Sequence, residues 1–189
     1  MHSENPGGRR PERGFRPVRR VGGRRVARAN WGAGRSVSAG EVEGRDLVVD
    51  RVRVTEEAAA GRVAGALGVA VGEPLCVRRR RYVLDGEAVL LATSYLPAAL
   101  VAGTAVTEDD PGPGGVYARL AELGEAPARF REIRSRMPSR EEADGLGLGA
   151  GTPVVLVRRT AFTASGRAVE VNDMVLDSAA YVLEYEFDA

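Results

Sequence analysis

The sequence predicts an α+β fold, an antiparallel sheet with helices mainly on one face, built by internal duplication. First, the segment Leu67–Arg80 resembles the segment Leu146–Arg159. Second, each copy has the pattern of strand, short helix, strand, tight turn and strand, which places hairpins beside intervening helices. Third, 44% of the 189 residues are hydrophobic, enough apolar surface to bury a core.

The first copy begins with a strand and a helix. Alternating valines on one face predict a strand over Leu47–Val54. Thr55 is the predicted N-cap of a helix, because Glu56 and Glu57 would then lie in its first turn, where the helix dipole favours acids. Gly68 marks the loop that ends this helix.

The second copy repeats the arrangement after a linking helix. An apolar stripe predicts this linking helix over Gly115–Leu123. A strand is then expected over Phe130–Met137. Ser139 with Glu142 forms a capping-box pattern at the start of the next helix, which ends among the glycines of 145–151.

Each copy closes with a β-hairpin. The β-branched runs 75–84 and 89–96 form the first hairpin, and 154–163 and 169–176 form the second. Both turns hold a glycine that supplies the positive φ of a tight hairpin turn. The turn pairs are Asp85-Gly86 and Ser165-Gly166, and a closing strand is expected at Tyr181–Phe187.

Composition excludes several classes of function. Cys76 is the only cysteine and His2 the only histidine, so disulfides, zinc fingers and Cys/His hydrolase sites are excluded, and a reducing compartment is favoured. Neither a P-loop nor a dinucleotide fingerprint is present. The uncharged run 88–107 is broken by polar residues and Pro97, which argues against a membrane span. We therefore expect a cytoplasmic protein that is not an enzyme and needs no cofactor or metal.

The first 35 residues differ in composition from the rest of the chain. Nine of the 27 arginines lie in residues 1–30, against only Glu4 and Glu12, so a basic segment precedes a mildly acidic body. Residues 1–35 are predicted to be a flexible Arg/Gly-rich arm, and residues 36–189 the folded domain. Two interpretations of the arm stay open: contact with nucleic-acid phosphates, or a solvated linker.

Four consecutive arginines lie inside the first hairpin. Because side chains alternate along a strand, Arg79 and Arg81 share one face, and Arg78 and Arg80 share the other. Two arginines on one face form a clamp for phosphate or carboxylate. The alternative is a solvent-exposed strand face covered by arginine stems.

Other candidate binding residues are scattered along the sequence. Gly115, in the run Gly112-Pro-Gly-Gly, begins the linking helix, where free N–H groups can receive an anion. Ser36 and Ser38 offer hydroxyl donors from a loop. Each of these residues also has a purely structural interpretation. The further candidates are Glu170 and Asn172 on the last hairpin strand and the hydroxyl of Tyr117.

Several short motifs occur in a fixed order and carry a family resemblance. They are Glu73-Pro74 before the arginine strand, Asp85-Gly-Glu, Ala92-Thr-Ser-Tyr-Leu-Pro97, Gly114-Gly-Val-Tyr117, Gly151-Thr-Pro153 and Ala168-Val-Glu170. Together they resemble the UTRA domain, the effector-sensing module of HutC-subfamily GntR-type transcription regulators, over about residues 36–187. The resemblance implies a chorismate-lyase-like fold, a small anionic metabolite as effector, and a homodimer that engages or releases DNA.

The resemblance also assigns roles to residues. The family's Arg-x-Arg falls on Arg79 and Arg81, within one residue, and its acidic residue falls on Glu170. Gly115 stands where the family has a hydroxyl residue, and Ala92 stands where an acidic residue often precedes Thr-Ser-Tyr, so the effector stays open. The family places a winged helix-turn-helix ahead of this domain, and residues 1–35 are too short and too rich in Arg and Gly to form one.

Three functions therefore remain on the sequence evidence. The leading hypothesis is a ligand-sensing, dimerising domain of a transcription regulator. The alternatives are a lyase-type enzyme on the same fold, using Glu170 and an arginine, or a non-specific nucleic-acid binder acting through the basic arm.

Overall fold

The computed structural model describes residues 17–21, 42, 44–127 and 133–184. Eight strands, four α-helices and one 3₁₀ turn are found among them. In chain order they are β1 (Val18–Val21), β2 (Leu47–Ala58), α1 (Gly61–Leu67), β3 (Pro74–Leu84), β4 (Glu87–Pro97), α2 (Ala98–Val101), the 3₁₀ turn (Ala105–Thr107), α3 (Gly115–Glu122), β5 (Ile133–Arg136), α4 (Arg140–Leu146), β6 (Val154–Phe162), β7 (Ala168–Asp177) and β8 (Tyr181–Glu184).

The main sheet has six strands in the order β2-β3-β4-β7-β6-β5, and every neighbouring pair is antiparallel. This order is symmetric about the β4–β7 pair. The first sequence copy supplies β2, β3 and β4, and the second supplies β5, β6 and β7 at the corresponding positions. The duplication predicted from the sequence is therefore present in the fold.

Helical segments cover both faces of this sheet. We call one face of the sheet the outer face. There α1 packs against Val77 and Val171. On the same face α4 lies close over β4: a Cβ added to Gly145 would be only 3.3 Å from Leu91 Cδ1. The opposite, inner face carries α2, the 3₁₀ turn and α3, whose Leu120 packs in one cluster with Leu96 and other core residues. The α+β class is confirmed, although the helices divide between the two faces instead of lying mainly on one.

The helices of the described ranges are short. Among the described residues, no helix combines the length and the hydrophobicity that a membrane span requires. The uncharged run 88–107 instead holds most of β4, all of α2 and the 3₁₀ turn.

Most of the local predictions are confirmed. Ser139 caps α4, and its side chain and that of Glu142 form both bonds of a capping box. Asp85 and Gly86 have φ values of 50° and 84°, as a tight hairpin turn requires. The linking helix α3 spans Gly115–Glu122.

The predicted helix start at Thr55 is wrong. Thr55, Glu56 and Glu57 belong to β2, which pairs with β3 as far as Ala58, and α1 begins only after its N-cap Ala60. The ladder to β3 satisfies backbone groups that a local helix would otherwise have to satisfy, so tertiary pairing prevails over the acidic first-turn signal.

A second, two-stranded sheet joins the two ends of the described chain. Part of the predicted flexible arm, β1, pairs in parallel with β8. Val18 is only 3% exposed and packs in a core cluster with Leu84 and Leu90. The expectation of flexibility is therefore not met at β1, whereas residues 1–16 and 22–35 lie outside the described residues. The predicted closing strand is present at β8.

Candidate functional site

The alternation of side chains along β3 divides its four arginines between the two faces of the sheet. Arg78 and Arg80 point to the inner face, where they line a pocket with β7 residues, whereas Arg79 and Arg81 point to the outer face. Arg80 lies opposite Ala92 of β4, and Arg78 lies opposite Ser94. The two arginine pairs therefore point to opposite faces, and Arg80 borders the depressions on both.

The inner face holds a pocket of about 470 Å³ between the sheet and the segment that leads into α3. We call it the inner pocket. Four of the predicted binding residues meet there, namely Tyr117, Glu170, Asn172 and Gly115. The other lining residues used below are Arg78, Arg80, Arg159, Asp109 and Asp110.

Glu170 is the most interior carboxylate of this pocket, with a relative exposure of 1%. The Tyr117 hydroxyl donates a hydrogen bond of 2.8 Å to Glu170 Oε2, and Arg159 Nη2 lies 3.8 Å from the same oxygen. The Arg159 guanidinium also stands 5.0 Å from the centre of the Tyr117 ring. Burial disfavours the Arg159 cation, but Tyr117 and Glu170 outweigh that cost, so the pKa of Arg159 is raised.

Arg78 is buried to 1% exposure and ties the inner face to the loop before α3. Its guanidinium donates hydrogen bonds to the backbone carbonyls of Val106 and Glu108, and Nη2 donates to that of Asp109 at 2.9 Å. Burial and then the neighbouring Arg80 lower the pKa of Arg78. These carbonyls satisfy a cation that would otherwise be costly to bury, and they fix the loop above the pocket.

Arg80 and Asn172 each bring to the inner pocket a polar atom that has no hydrogen-bond partner among the described residues. Arg80 donates from Nη2 to Ser94 Oγ at 2.6 Å, but its Nε is unpaired. Asn172 is 5% exposed, and its Oδ1 accepts no hydrogen bond. A buried polar atom without a partner is costly, so both atoms are suited to a bound ligand.

The outer face carries a wider depression of about 960 Å³, the outer groove, between the sheet and α4. The two β3 arginines that point into it are engaged by carboxylates: Arg79 donates to both carboxylate oxygens of Glu57, at 2.5 and 3.0 Å, and Arg81 binds Asp50 through Nε and Nη2. The hydrogen bond from Arg79 lowers the pKa of Glu57 to about 2. The structure thus does not bring Arg79 and Arg81 together with Glu170.

Sequence reasoning considered Arg78 and Arg80 as one of two possible anion-binding pairs, but the family resemblance favoured Arg79 and Arg81, and Arg159 was missed. Arg80 and Arg159 occupy equivalent positions in the two aligned copies, and both line this pocket. The repeat could therefore have indicated them as a pair. Ser36 and Ser38, the remaining predicted binding residues, lie outside the described residues.

Comparison with known proteins identifies the family. The UTRA domain family matches residues 43–181. An HTH-type transcriptional regulator of Streptomyces coelicolor is 30% identical over 188 residues, which cover 90% of this chain and 67% of that protein. The HTH-type transcriptional repressor PhnF of Mycolicibacterium smegmatis is 35% identical over 109 residues, which cover 57% of this chain and 44% of PhnF. The chain thus spans two thirds of one relative and less than half of the other.

Solved structures agree with the sequence relatives. The crystal structure of PhnF from Mycobacterium smegmatis has a TM-score of 0.75 and 26% identity, covering 92% of this chain and 72% of that one. The separate effector domain of PhnF has a TM-score of 0.71 and 27% identity, covering 80% of this chain and 93% of that one. The chain belongs to the UTRA domain family, the effector-binding domains of GntR-family transcriptional regulators.

Proposed function

We propose that this domain senses a small anionic metabolite in the inner pocket and passes the bound state to a DNA-binding unit of the regulator. The observation that carries the proposal is the inner pocket itself. It gathers Arg80, Arg159 and Asn172 around a cavity of about 470 Å³, the size of a small-molecule site.

The chemistry of the pocket favours an anion on the sheet side. Arg80 offers an unpaired Nε beside a guanidinium already oriented by Ser94, and a hydrogen bond from a charged donor to an anion is among the stronger protein contacts. The N-terminus of α3 also borders the pocket through Gly114 and Gly115, and no side chain caps it. Its backbone N–H groups and the helix dipole favour a negative group there.

The loop before α3 provides a route from ligand to signal. Arg78 holds this loop through three carbonyls while its side chain lines the pocket. A ligand that binds better to one loop arrangement shifts the population towards it, and only such differential affinity can change DNA binding.

We further propose that the domain acts as a homodimer, as the resemblance to the family implies.

Sensing is preferred to catalysis because the relatives are named as transcriptional regulators. The lyase-type and arm-mediated nucleic-acid alternatives have no comparable support. A lyase-type enzyme would convert an aromatic carboxylate substrate. We expect a sensing domain to leave such compounds unchanged after incubation, as measured by chromatography.

Calorimetric titration of the chain with a panel of phosphorylated and carboxylated metabolites tests the site. Arg80→Gln is expected to weaken binding about tenfold or more, because it removes a charge-assisted hydrogen bond. Arg79→Gln is the matched control, being the adjacent arginine on the opposite face, and should leave the affinity unchanged. If Arg79→Gln abolishes binding and Arg80→Gln does not, the ligand lies in the outer groove and the proposed site is wrong.

A further inference from the structure

The inner pocket contains charges of both signs, and most of them are already compensated. Arg78 is bound by three carbonyl oxygens, and Glu170 and Arg159 lie 3.8 Å apart as a buried pair. What remains for a ligand is Arg80 on the sheet and two carboxylates, Asp109 and Asp110, on the facing loop.

The two aspartates are fixed parts of the pocket rim. The backbone carbonyl of Asp109 is held by Arg78 Nη2 at 2.9 Å. The carboxylate of Asp110 accepts a hydrogen bond of 2.9 Å from the Gly112 backbone N–H, which shapes the turn into α3. Both side chains are exposed at the mouth of the pocket. A ligand carrying only negative charge would therefore meet two like charges as it enters.

Asn172 supplies an independent indication deeper in the pocket. Its Oδ1 is an acceptor without a partner among the described residues, although the residue is 95% buried. Asn172 lies opposite Ser94 on one side and opposite Arg159 on the other, in the middle of the sheet. A ligand with an N–H donor would satisfy this oxygen, whereas a fully ionised phosphate or carboxylate would not.

We propose that the effector is a zwitterion, with an anionic group at Arg80 and an ammonium group that is favoured by the carboxylates of Asp109 and Asp110 at the mouth and by the Asn172 oxygen deeper in the pocket. This inference rests on the proposed function, which places an anionic effector in the inner pocket. It adds that the effector carries a positive group as well, as amino acids and amino-alkyl phosphates do.

Two matched pairs of compounds separate the contributions of the two charges. Phosphoethanolamine is compared with ethyl phosphate, and β-alanine with propionate, by calorimetric titration of the full chain. In at least one pair the amine-bearing member should bind about fivefold more tightly, the advantage of ammonium–carboxylate pairs at an exposed rim. In the double variant Asp109→Asn with Asp110→Asn, this preference should disappear while binding of the amine-free member is retained or improved.

The double variant Glu141→Gln with Asp144→Asn is the control, because it removes the same charge from exposed positions on α4, at the outer groove. This control variant should still bind the amine-bearing member of the pair more tightly, to the same degree as the unaltered chain. If the amine-free members bind as tightly as their partners, or if the preference survives in the Asp109/Asp110 variant, the zwitterion is wrong and the anion site stands. If neither member of either pair binds, the result contradicts the anion site as well.

Discussion

Arg79 and Glu57 form an ion pair across neighbouring strands of the outer face, with two hydrogen bonds between their side chains. Glu57 also accepts a hydrogen bond from the Thr55 hydroxyl at 2.5 Å. Both contacts favour the ionised carboxylate, so the pKa of Glu57 falls from 4.5 to about 2. The guanidinium that the sequence offered as an anion clamp is thus occupied by the protein itself.

This pair predicts a pH dependence of stability. A carboxylate with a lowered folded-state pKa stabilises the fold above its unfolded pKa, near 4.5, and that contribution is lost as the pH falls towards 2. Both side chains are about 40% exposed, so solvent screening limits the contribution to about 1 kcal/mol or less. Urea unfolding of Glu57→Gln and of the unaltered chain should give stability curves that converge between pH 4.5 and pH 2. Parallel curves would contradict the assignment.

The helices α1 and α4 occupy equivalent positions in the two copies but begin differently. Ser139 caps α4 and completes a capping box with Glu142. The equivalent N-cap of α1 is Ala60, which has extended backbone angles and no side-chain hydrogen bond. One copy therefore retains a cap that the other lacks.

Exchanging the two cap residues tests this difference. Ser139→Ala should lower the free energy of unfolding by about 1 kcal/mol, because one helical N–H loses its acceptor. Ala60→Ser should raise it by up to about 1 kcal/mol, since Ala60 is exposed and its backbone already has the angles of an N-cap. Thermal and urea denaturation of the two variants provide the measurement. Equal effects of the same sign would show that the caps are not responsible.

The pairing of β1 with β8 links residues near the two ends of the chain. Val18 donates its backbone N–H to the Ala180 carbonyl at 2.8 Å, and its side chain is buried in the cluster that contains Leu84, Leu90 and Leu176. The segment that precedes the main sheet in sequence therefore contributes to the core of the domain.

Truncating this side chain tests that contribution. Val18→Ala should lower the free energy of unfolding by about 2 kcal/mol, because it removes two buried methyl groups and leaves a cavity. Val71→Ala, at a valine that is 74% exposed, is the matched control and should change it little. If both variants unfold alike in urea, β1 does not stabilise the fold.

Much of the architecture was predictable because the signals were local. The capping box of α4, the Asp85-Gly86 turn, both hairpins and α3 follow from residues close in sequence. The duplication strengthened the fold prediction, because the same pattern of strands, helix and turn occurs in both copies. The predicted helix start at Thr55–Glu57 was wrong because the two acids favour a helix start locally. The pairing of this segment with β3, which makes it a strand, is not visible in those residues.

Only some of the residues of the binding site could be predicted from the sequence, for a related reason. The order of residues alone was enough to infer that β3 presents two arginine pairs on opposite faces, and that Glu170, Asn172 and Tyr117 are candidate binding residues. The folded chain was needed to see that Arg78 and Arg80 share the pocket with them, while Arg79 and Arg81 pair with Glu57 and Asp50. Alternation along a strand is a local property, but which face meets a pocket depends on the segments that cover each side of the sheet. Those segments are distant in sequence, and they are brought together only by folding.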